Sequence, residues 1–373
     1  MNQLPETILQ FGTGRFLRAF ADRFVHEANE QGQAVGRVVM VQSTGDDVAK
    51  KLNSRGGMYH IVIRGLEGGQ RVDRVEDVAC VSRAIAAASD WPSVLDIARS
   101  IDLRYIVSNT TEAGYKLDAD DGADRATPTS FPAKLLAVLR ARFECGRPPV
   151  TIIPCELIEN QADVLQWTVV ELAATWNLPP ALVEWIRDEC VWLNTLVDRI
   201  VVGPPKDHPL AAEDPLLIMA EPFAFCAMQA KPRAGAFIHH PAIVRAADVR
   251  PYFLRKVRIL NAAHTALATK AAARGFTIVR QAVADSENSL WLERLLFEEI
   301  VPTLADRVDQ PEMFAQRTLE RFRNPFLEHK IADIRQNHDA KVRIRLLPTR
   351  EEFVSKFGRR PPLLDEVLEE NGL

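Results

Sequence analysis

TILQFGTGRFLRAFADRFVHEANEQG, residues 7–32, runs from an apolar stretch through two close glycines into a segment where Phe16, Phe20 and Phe24 recur at helical spacing. RVVMVQST, residues 37–44, reads as a second buried strand, so the three pieces make a β-α-β unit. Further β-branched runs at RYIVSNT (104–110) and VTIIPCE (150–156) alternate with helical patterns at SVLDIARSI (93–101) and FPAKLLAVLRARF (131–143). Strands that alternate with helices imply a parallel sheet covered on both faces, an α/β fold of the Rossmann type.

Working outward, YHIVIRG and QRVDRVEDVACV flank the turn-prone LEGG (66–69) and read as an inserted hairpin. DADDGADRATPTS (118–130) reads as a surface loop, either a cover over a site or a connector. Past residue 245 the strand pattern fades and three long helical patterns follow, beginning at residues 247, 289 and 311. The expected division is a dinucleotide-binding domain over 1–245 and a mainly α-helical domain over 246–373.

The 373 residues are 47% hydrophobic and 26% charged, which suits a globular chain of two domains. With a net charge of −4 and basic residues scattered along the chain, partners such as nucleic acid or an anionic membrane are not expected. A small-molecule partner is. Cys80, Cys145, Cys155, Cys190 and Cys226 form no C-x-x-C pair and read as reduced thiols. The first residues lack a secretory pattern and no run has the length of a membrane helix, so the expected compartment is the cytoplasm. Oligomeric state is not readable.

Gly12 and Gly14 fall where the first strand turns into a helix. Glycines there permit a tight turn and close approach of a pyrophosphate to the backbone N–H groups of the helix start, although they also serve as a plain structural turn. The third glycine of G-x-G-x-x-G is replaced by Leu17. After the second strand come Gln42, Ser43 and Thr44, which can hydrogen-bond a ribose; no Arg follows at once to hold a 2′-phosphate, so NAD is favoured without excluding NADP.

KVRILNAAHTA, residues 256–266, sets Lys256, Asn261 and His264 among small and apolar neighbours, at roughly 0°, 140° and 80° around a helix. Three polar groups on one side of a helix call for water or for a site that uses them. Hydride transfer to a ketone leaves charge on the oxygen, which needs donors and then a proton. A desolvated lysine can exchange that proton, an asparagine can hold the oxygen, and a histidine can orient the substrate. A zinc alternative lacks ligand spacing: His239 and His240 are adjacent and do not share a helix face, so no metal is expected.

With these residues assembled, the chain resembles the polyol-specific long-chain dehydrogenases, the mannitol dehydrogenase family, and most closely its tagaturonate (altronate oxidoreductase) branch. The resemblance runs through LQFGTGRFLRAF, VVMVQST, VSNTTEAGY, FPAKLL, CELIENQ, NTLVDRIV, AEPF, KVRILNAAHT and RFRNPFLEHKI. It implies an NAD(P)-dependent, metal-independent enzyme that interconverts a ketose or keto-uronate with its polyol or aldonate, mannitol and fructuronate chemistry being alternatives. By the same likeness Lys256 is the general acid/base, Asn194 and Asn261 bind the oxyanion, and His264 positions the substrate. Gly12, Thr13, Gly14, Arg15 and Phe16 would surround the pyrophosphate, Ser43 and Thr44 would lie near the adenosine ribose, and Asn109, Thr110 and Glu112 would lie near the cofactor. Arg15 stands where many relatives have Asn, and the helical end looks shorter than usual. From the residues alone, the bland alternatives remain a solvated helix face, a turn asparagine at 194 and a catalytically silent dinucleotide-binding regulator.

Overall fold

The computed structural model describes residues 3–110, 112–235 and 237–373, and for residues 112 and 113 the backbone alone. The chain divides into two compact units, residues 1–63 with 74–249 and residues 64–73 with 250–373.

In the first unit, β1 (Glu6–Phe11), β2 (Arg37–Gln42), β5 (Val81–Ala86), β6 (Tyr105–Ser108), β7 (Thr151–Pro154) and β8 (Val191–Trp192) form a parallel sheet in the order β5-β2-β1-β6-β7-β8. Five of the six residues in β1, and in β2, are buried, as expected of strands covered on both faces. Leu9, Val39, Ile106 and Ile152 of the sheet share one core with Leu135 and Leu139 of the helix Phe131–Glu144 and with Leu165 and Val169 of the helix Gln161–Thr175. Ser130 caps the first of these helices by accepting from the Ala133 N–H, and Pro132 occupies its first turn, where no donor is needed.

The order reverses direction at β1, so the crevice at the carboxyl ends of β1 and β6 is the topological switch point, where open α/β sheets receive ligands. The segment expected as one helix over the three phenylalanines is two: Arg15–Arg18 and Ala21–Glu30, with Phe20 at φ −130° and ψ −86° between them. The aromatic spacing survives the break, because Phe16 and Phe20 stack at 4.9 Å and Phe20 and Phe24 lie at 4.8 Å.

The hairpin reads as expected: β3 (Tyr59–Glu67) and β4 (Gln70–Val78) join through Gly68 and Gly69, both at positive φ. Its tip, residues 64–73, belongs to the second unit, where the Asn324 amide donates to the Arg64 carbonyl at 3.1 Å and Glu320 accepts from the Gly69 N–H at 2.6 Å. Five short strands carry no legible period: β9 (Thr195–Asp198), β10 (Val201–Val202), β11 (Ile218–Ala220), β12 (Phe225–Gln229) and β13 (Ile243–Ala246). They build a sheet β13-β12-β9 and extend the hairpin as β10-β11-β3-β4.

The second unit is helical. Its first long pattern is an α-helix (Arg250–Arg255), a π-helical turn (Lys256–Asn261) and a further α-helix (Ala262–Ala273) in unbroken succession. The other two patterns overlap the helices Ser286–Arg294 and Pro311–Phe322, the first followed by a second π-helical turn, Leu295–Ile300. No helix among the described residues is long and apolar enough to cross a membrane.

Candidate active site

The expected site residues fall in both units, and each set is described within its own unit. In the first unit the glycine turn follows β1. Gly12 has φ +120°, and a Cβ there would stand 3.2 Å from the Asn109 carbonyl oxygen, so both backbone conformation and the approach of β6 require glycine. Gly14, at φ −64°, caps the short helix, and a Cβ added to it would meet nothing within 4 Å. The Gly12 carbonyl accepts from Gln10 Nε2 at 3.0 Å and the Thr13 carbonyl from Arg18 Nε at 3.1 Å, both from buried side chains. In a trans peptide the following N–H points opposite to the carbonyl, so the N–H groups of Thr13 and Gly14 turn away from the core. Neither has an acceptor among the described residues. Two successive unpaired donors at an exposed helix start fit a pyrophosphate.

Arg15 is exposed, with its guanidinium against Gly203, where an added Cβ would lie 3.5 Å from Nη1; the IVVGPP segment is thus a wall beside the glycine turn. Phe16 is half-buried against Phe20. Ser43 and Thr44 are exposed just past β2, whereas Gln42 is consumed by the turn: its Oε1 accepts from Ala49 N at 2.8 Å and its Nε2 donates to the Thr44 carbonyl and to Asp47, both at 2.9 Å.

Past β6, Asn109 Nδ2 donates to the Cys155 carbonyl at 2.6 Å, and the Thr110 N–H donates to Glu156 Oε1 at 2.9 Å. Tyr115 donates to the other oxygen of Glu156 at 3.1 Å. Burial pushes the Glu156 carboxyl above its ordinary value, against the donors that favour its charge. Glu156 lies in CELIENQ, and residue type gave it no role; its partners lie more than forty residues away and are invisible to local pattern. The side chain of Glu112 lies outside the described residues.

Asn194, between β8 and β9, is 3% exposed and anchors the start of the helix Gln161–Thr175. Its Oδ1 accepts from Ala162 N at 2.8 Å, while Nδ2 donates to Asp163 Oδ2 at 2.7 Å and, at 3.4 Å, to Gln229 Oε1.

In the second unit Lys256 is buried, at 8% exposure, and opens the π-helical turn that Asn261 closes. The i→i+5 bonding of such a turn sets residues five apart nearly one above the other, closer than the roughly 140° of an α-helix, and π-turns recur at functional sites. Asn261 is half-buried, and its carbonyl accepts from Thr265 Oγ1 at 2.9 Å. His264 stacks on Phe322 at 4.0 Å and meets the edge of His329 at 4.8 Å. Its Nε2 is buried without a hydrogen-bond partner among the described residues. Burial, reinforced by His329, Arg321 and Arg345, holds the imidazole well below its usual pKa, so the ring is neutral at pH 7. His329 lies in RFRNPFLEHKI, where neither residue type nor spacing marks it for a role.

Among the described residues no group of three His, Cys, Asp or Glu side chains could hold a metal ion. His240 instead pairs with Glu27 at 2.6 Å.

A Rossmann-type unit with open backbone donors at its switch point, and a helical unit that carries a buried lysine, a half-buried asparagine and a buried histidine along one run of helix, are the parts of a two-domain dehydrogenase. Residues 6–236 match the model of the mannitol dehydrogenase Rossmann domain, and residues 248–363 that of the mannitol dehydrogenase C-terminal domain. The chain belongs to the mannitol dehydrogenase family. It is 37% identical to an altronate oxidoreductase of Klebsiella pneumoniae (strain 342) over 98% of this chain and 79% of that protein. It is also 35% identical to an altronate oxidoreductase of Bacillus subtilis (strain 168), over 97% and 78%. Among solved structures, a substrate-free D-sorbitol dehydrogenase superposes with a TM-score of 0.85 at 22% identity, covering 99% of this chain and 80% of that one. The mannitol 2-dehydrogenase of Pseudomonas fluorescens, in ternary complex with NAD and D-mannitol, superposes at 0.81 with 20% identity, covering 99% and 79%. These two show the fold.

Proposed function

We propose that this chain is an NAD-dependent oxidoreductase that interconverts a sugar acid with its keto form, of the altronate and tagaturonate kind, without a metal. The observation that carries the reading is the 37% identity to altronate oxidoreductase across 98% of the chain. The paired outward N–H groups of Thr13 and Gly14 support the dinucleotide, and Ser43 and Thr44 are exposed where a ribose would lie. NAD, when bound, supplies the hydride acceptor.

In the oxidative direction Lys256, as the neutral amine, takes the hydroxyl proton while the hydride leaves the same carbon; in reduction it returns that proton. Asn261 donates to the oxygen as charge develops on it. The family resemblance gives Asn194 the role of second oxyanion donor; in the first unit its Nδ2 lies 3.4 Å from Gln229 Oε1, the weaker of its two contacts. The neutral His264, with Nε2 unpaired, holds a neighbouring hydroxyl. Thr110 and Asn109 shape the cofactor side of the crevice, with Glu112 beside them. Five free thiols fit a reducing compartment such as the cytoplasm.

The test is the oxidation and reduction of a panel containing altronate, tagaturonate, fructuronate, mannitol and fructose, each with NAD(H) and NADP(H). Turnover highest on the altronate/tagaturonate pair with NAD(H) is the expected result. Measurable NADH binding with no turnover on any pair would overturn it in favour of a silent regulator.

A further inference from the structure

Beneath the glycine turn lies a group of polar side chains that the proposed chemistry does not use. Gln10, Asp22 and Tyr59 are at most 1% exposed and Arg18 is 5% exposed. Gln10 comes from β1, Arg18 from the short helix, Asp22 from the helix Ala21–Glu30, and Tyr59 from the start of β3. Gln10 Nε2 donates to the Gly12 carbonyl at 3.0 Å and to Asp22 Oδ2 at 3.3 Å. Tyr59 donates to the Arg18 carbonyl at 2.8 Å, and its hydroxyl lies 3.3 Å from the same Asp22 oxygen. Arg18 reaches the Thr13 carbonyl through Nε and the Leu216 carbonyl, at 2.6 Å, through Nη1. Asp22 Oδ1 is buried with no hydrogen-bond partner among the described residues, a costly arrangement for a residue that only fills space.

An apolar residue at position 22 would pack there without that cost. What the acid does is hold the Gln10 amide at one end, so that its nitrogen is presented to Gly12. With Gln10 and Arg18 each drawing one carbonyl inward, two successive peptide planes are fixed and their N–H groups are aimed at the crevice. Without these anchors the Gly12 peptide, whose residue lacks a Cβ, can rotate, and the donors must be ordered at the moment of binding.

We infer that Asp22 is a positioning residue for the dinucleotide, acting through Gln10 to orient the Gly12–Thr13 and Thr13–Gly14 peptides toward the pyrophosphate. The inference rests on the NAD reading above. It assigns a role in coenzyme affinity, without contact to the coenzyme, to a buried acid and amide.

The test uses the full-length protein and NADH as the probe, with Kd from fluorescence titration and with KM and kcat from steady-state kinetics. Asp22→Ala and Gln10→Met, the latter close in volume to the original side chain, are each expected to raise Kd and coenzyme KM about fivefold, the scale of one lost hydrogen bond, with kcat at saturating NADH nearly unchanged. Asp22→Asn keeps an oxygen that accepts from Gln10, and is expected to restore affinity to within about twofold of the original. A folded Gln10→Met protein with the original Kd would overturn the inference, as would Asp22→Asn losing as much affinity as Asp22→Ala. An unaltered protein that binds neither NADH nor NADPH would instead sink the dinucleotide reading itself.

Discussion

The imidazole of His264 lies on the ring of Phe322 at 4.0 Å, with 26° between the planes, and its Nε2 has no hydrogen-bond partner among the described residues. A buried ring held neutral and left with an unpaired nitrogen is suited to meeting a hydroxyl, not to shuttling protons near pH 7. His264→Asn should therefore raise the KM for the sugar substrate about tenfold while leaving NADH affinity unchanged. The pH profile of kcat/KM between pH 5 and 8 should keep its shape in the variant. A limb that disappears with the imidazole would show that it titrates during turnover.

Lys256→Met is expected to lower kcat by about two to four orders of magnitude, the usual scale for loss of an acid-base group. NADH binding, followed by fluorescence, should stay near that of the unaltered protein. Turnover that survives the change would remove this amine from the chemistry.

Gly12 and Gly14 make a paired prediction. Alanine at 12 meets both a φ of +120° and the Asn109 carbonyl at 3.2 Å, so Gly12→Ala should lose about 1–3 kcal/mol of stability together with coenzyme affinity. Alanine at 14 meets no atom and an ordinary φ, so Gly14→Ala should melt like the original protein while its methyl group crowds the pyrophosphate. Thermal melts with and without NADH separate the two. Equal loss of fold stability in both variants would refute the distinction.

Asn194 carries structure whatever it does for the substrate. Asn194→Ala leaves the Ala162 N–H and one Asp163 oxygen without their partner, and should cost about 1–3 kcal/mol in urea denaturation. If it is also an oxyanion donor, turnover per folded molecule falls as well. Full specific activity in the folded fraction would leave it with the helix alone.

Asp22 sets a pH dependence of stability. Burial pushes its carboxyl up from 3.8 to about 7, despite the Gln10 amide, the nearby Tyr59 hydroxyl and the charge of Arg18. The titratable groups around it are Arg18, Tyr59, Cys155 and Cys80, whose thiol donates to the Asp22 backbone carbonyl. As pH rises past 3.8 the unfolded chain releases this proton while the folded one keeps it, so the stability present in acid is lost progressively up to pH 7. The loss is at most on the order of 4 kcal/mol. Asp22→Asn should remove that slope and gain on the original protein from pH 5 to pH 8, measured by denaturant midpoints. Parallel curves for the two proteins would contradict the assignment.

What the sequence determined unaided is the part carried by local periodicity and residue type. The β-α-β start, the parallel arrangement, the hairpin at LEGG and the helical pattern past residue 245 were all legible, because each follows from spacing within about ten residues or from a run of apolar side chains. Only the tertiary structure decided the rest. The break at Phe20, the π-helical turn that aligns Lys256 with Asn261, and the two- to five-residue strands β8 to β13 are too short to leave a period. Asn194 at the start of a helix more than thirty residues upstream, Thr110 on Glu156, and Gln10 between Gly12 and Asp22 are pairings made by the approach of distant backbone. Which hydrogen-bond partner a buried polar group takes depends on that approach, and no local spacing encodes it.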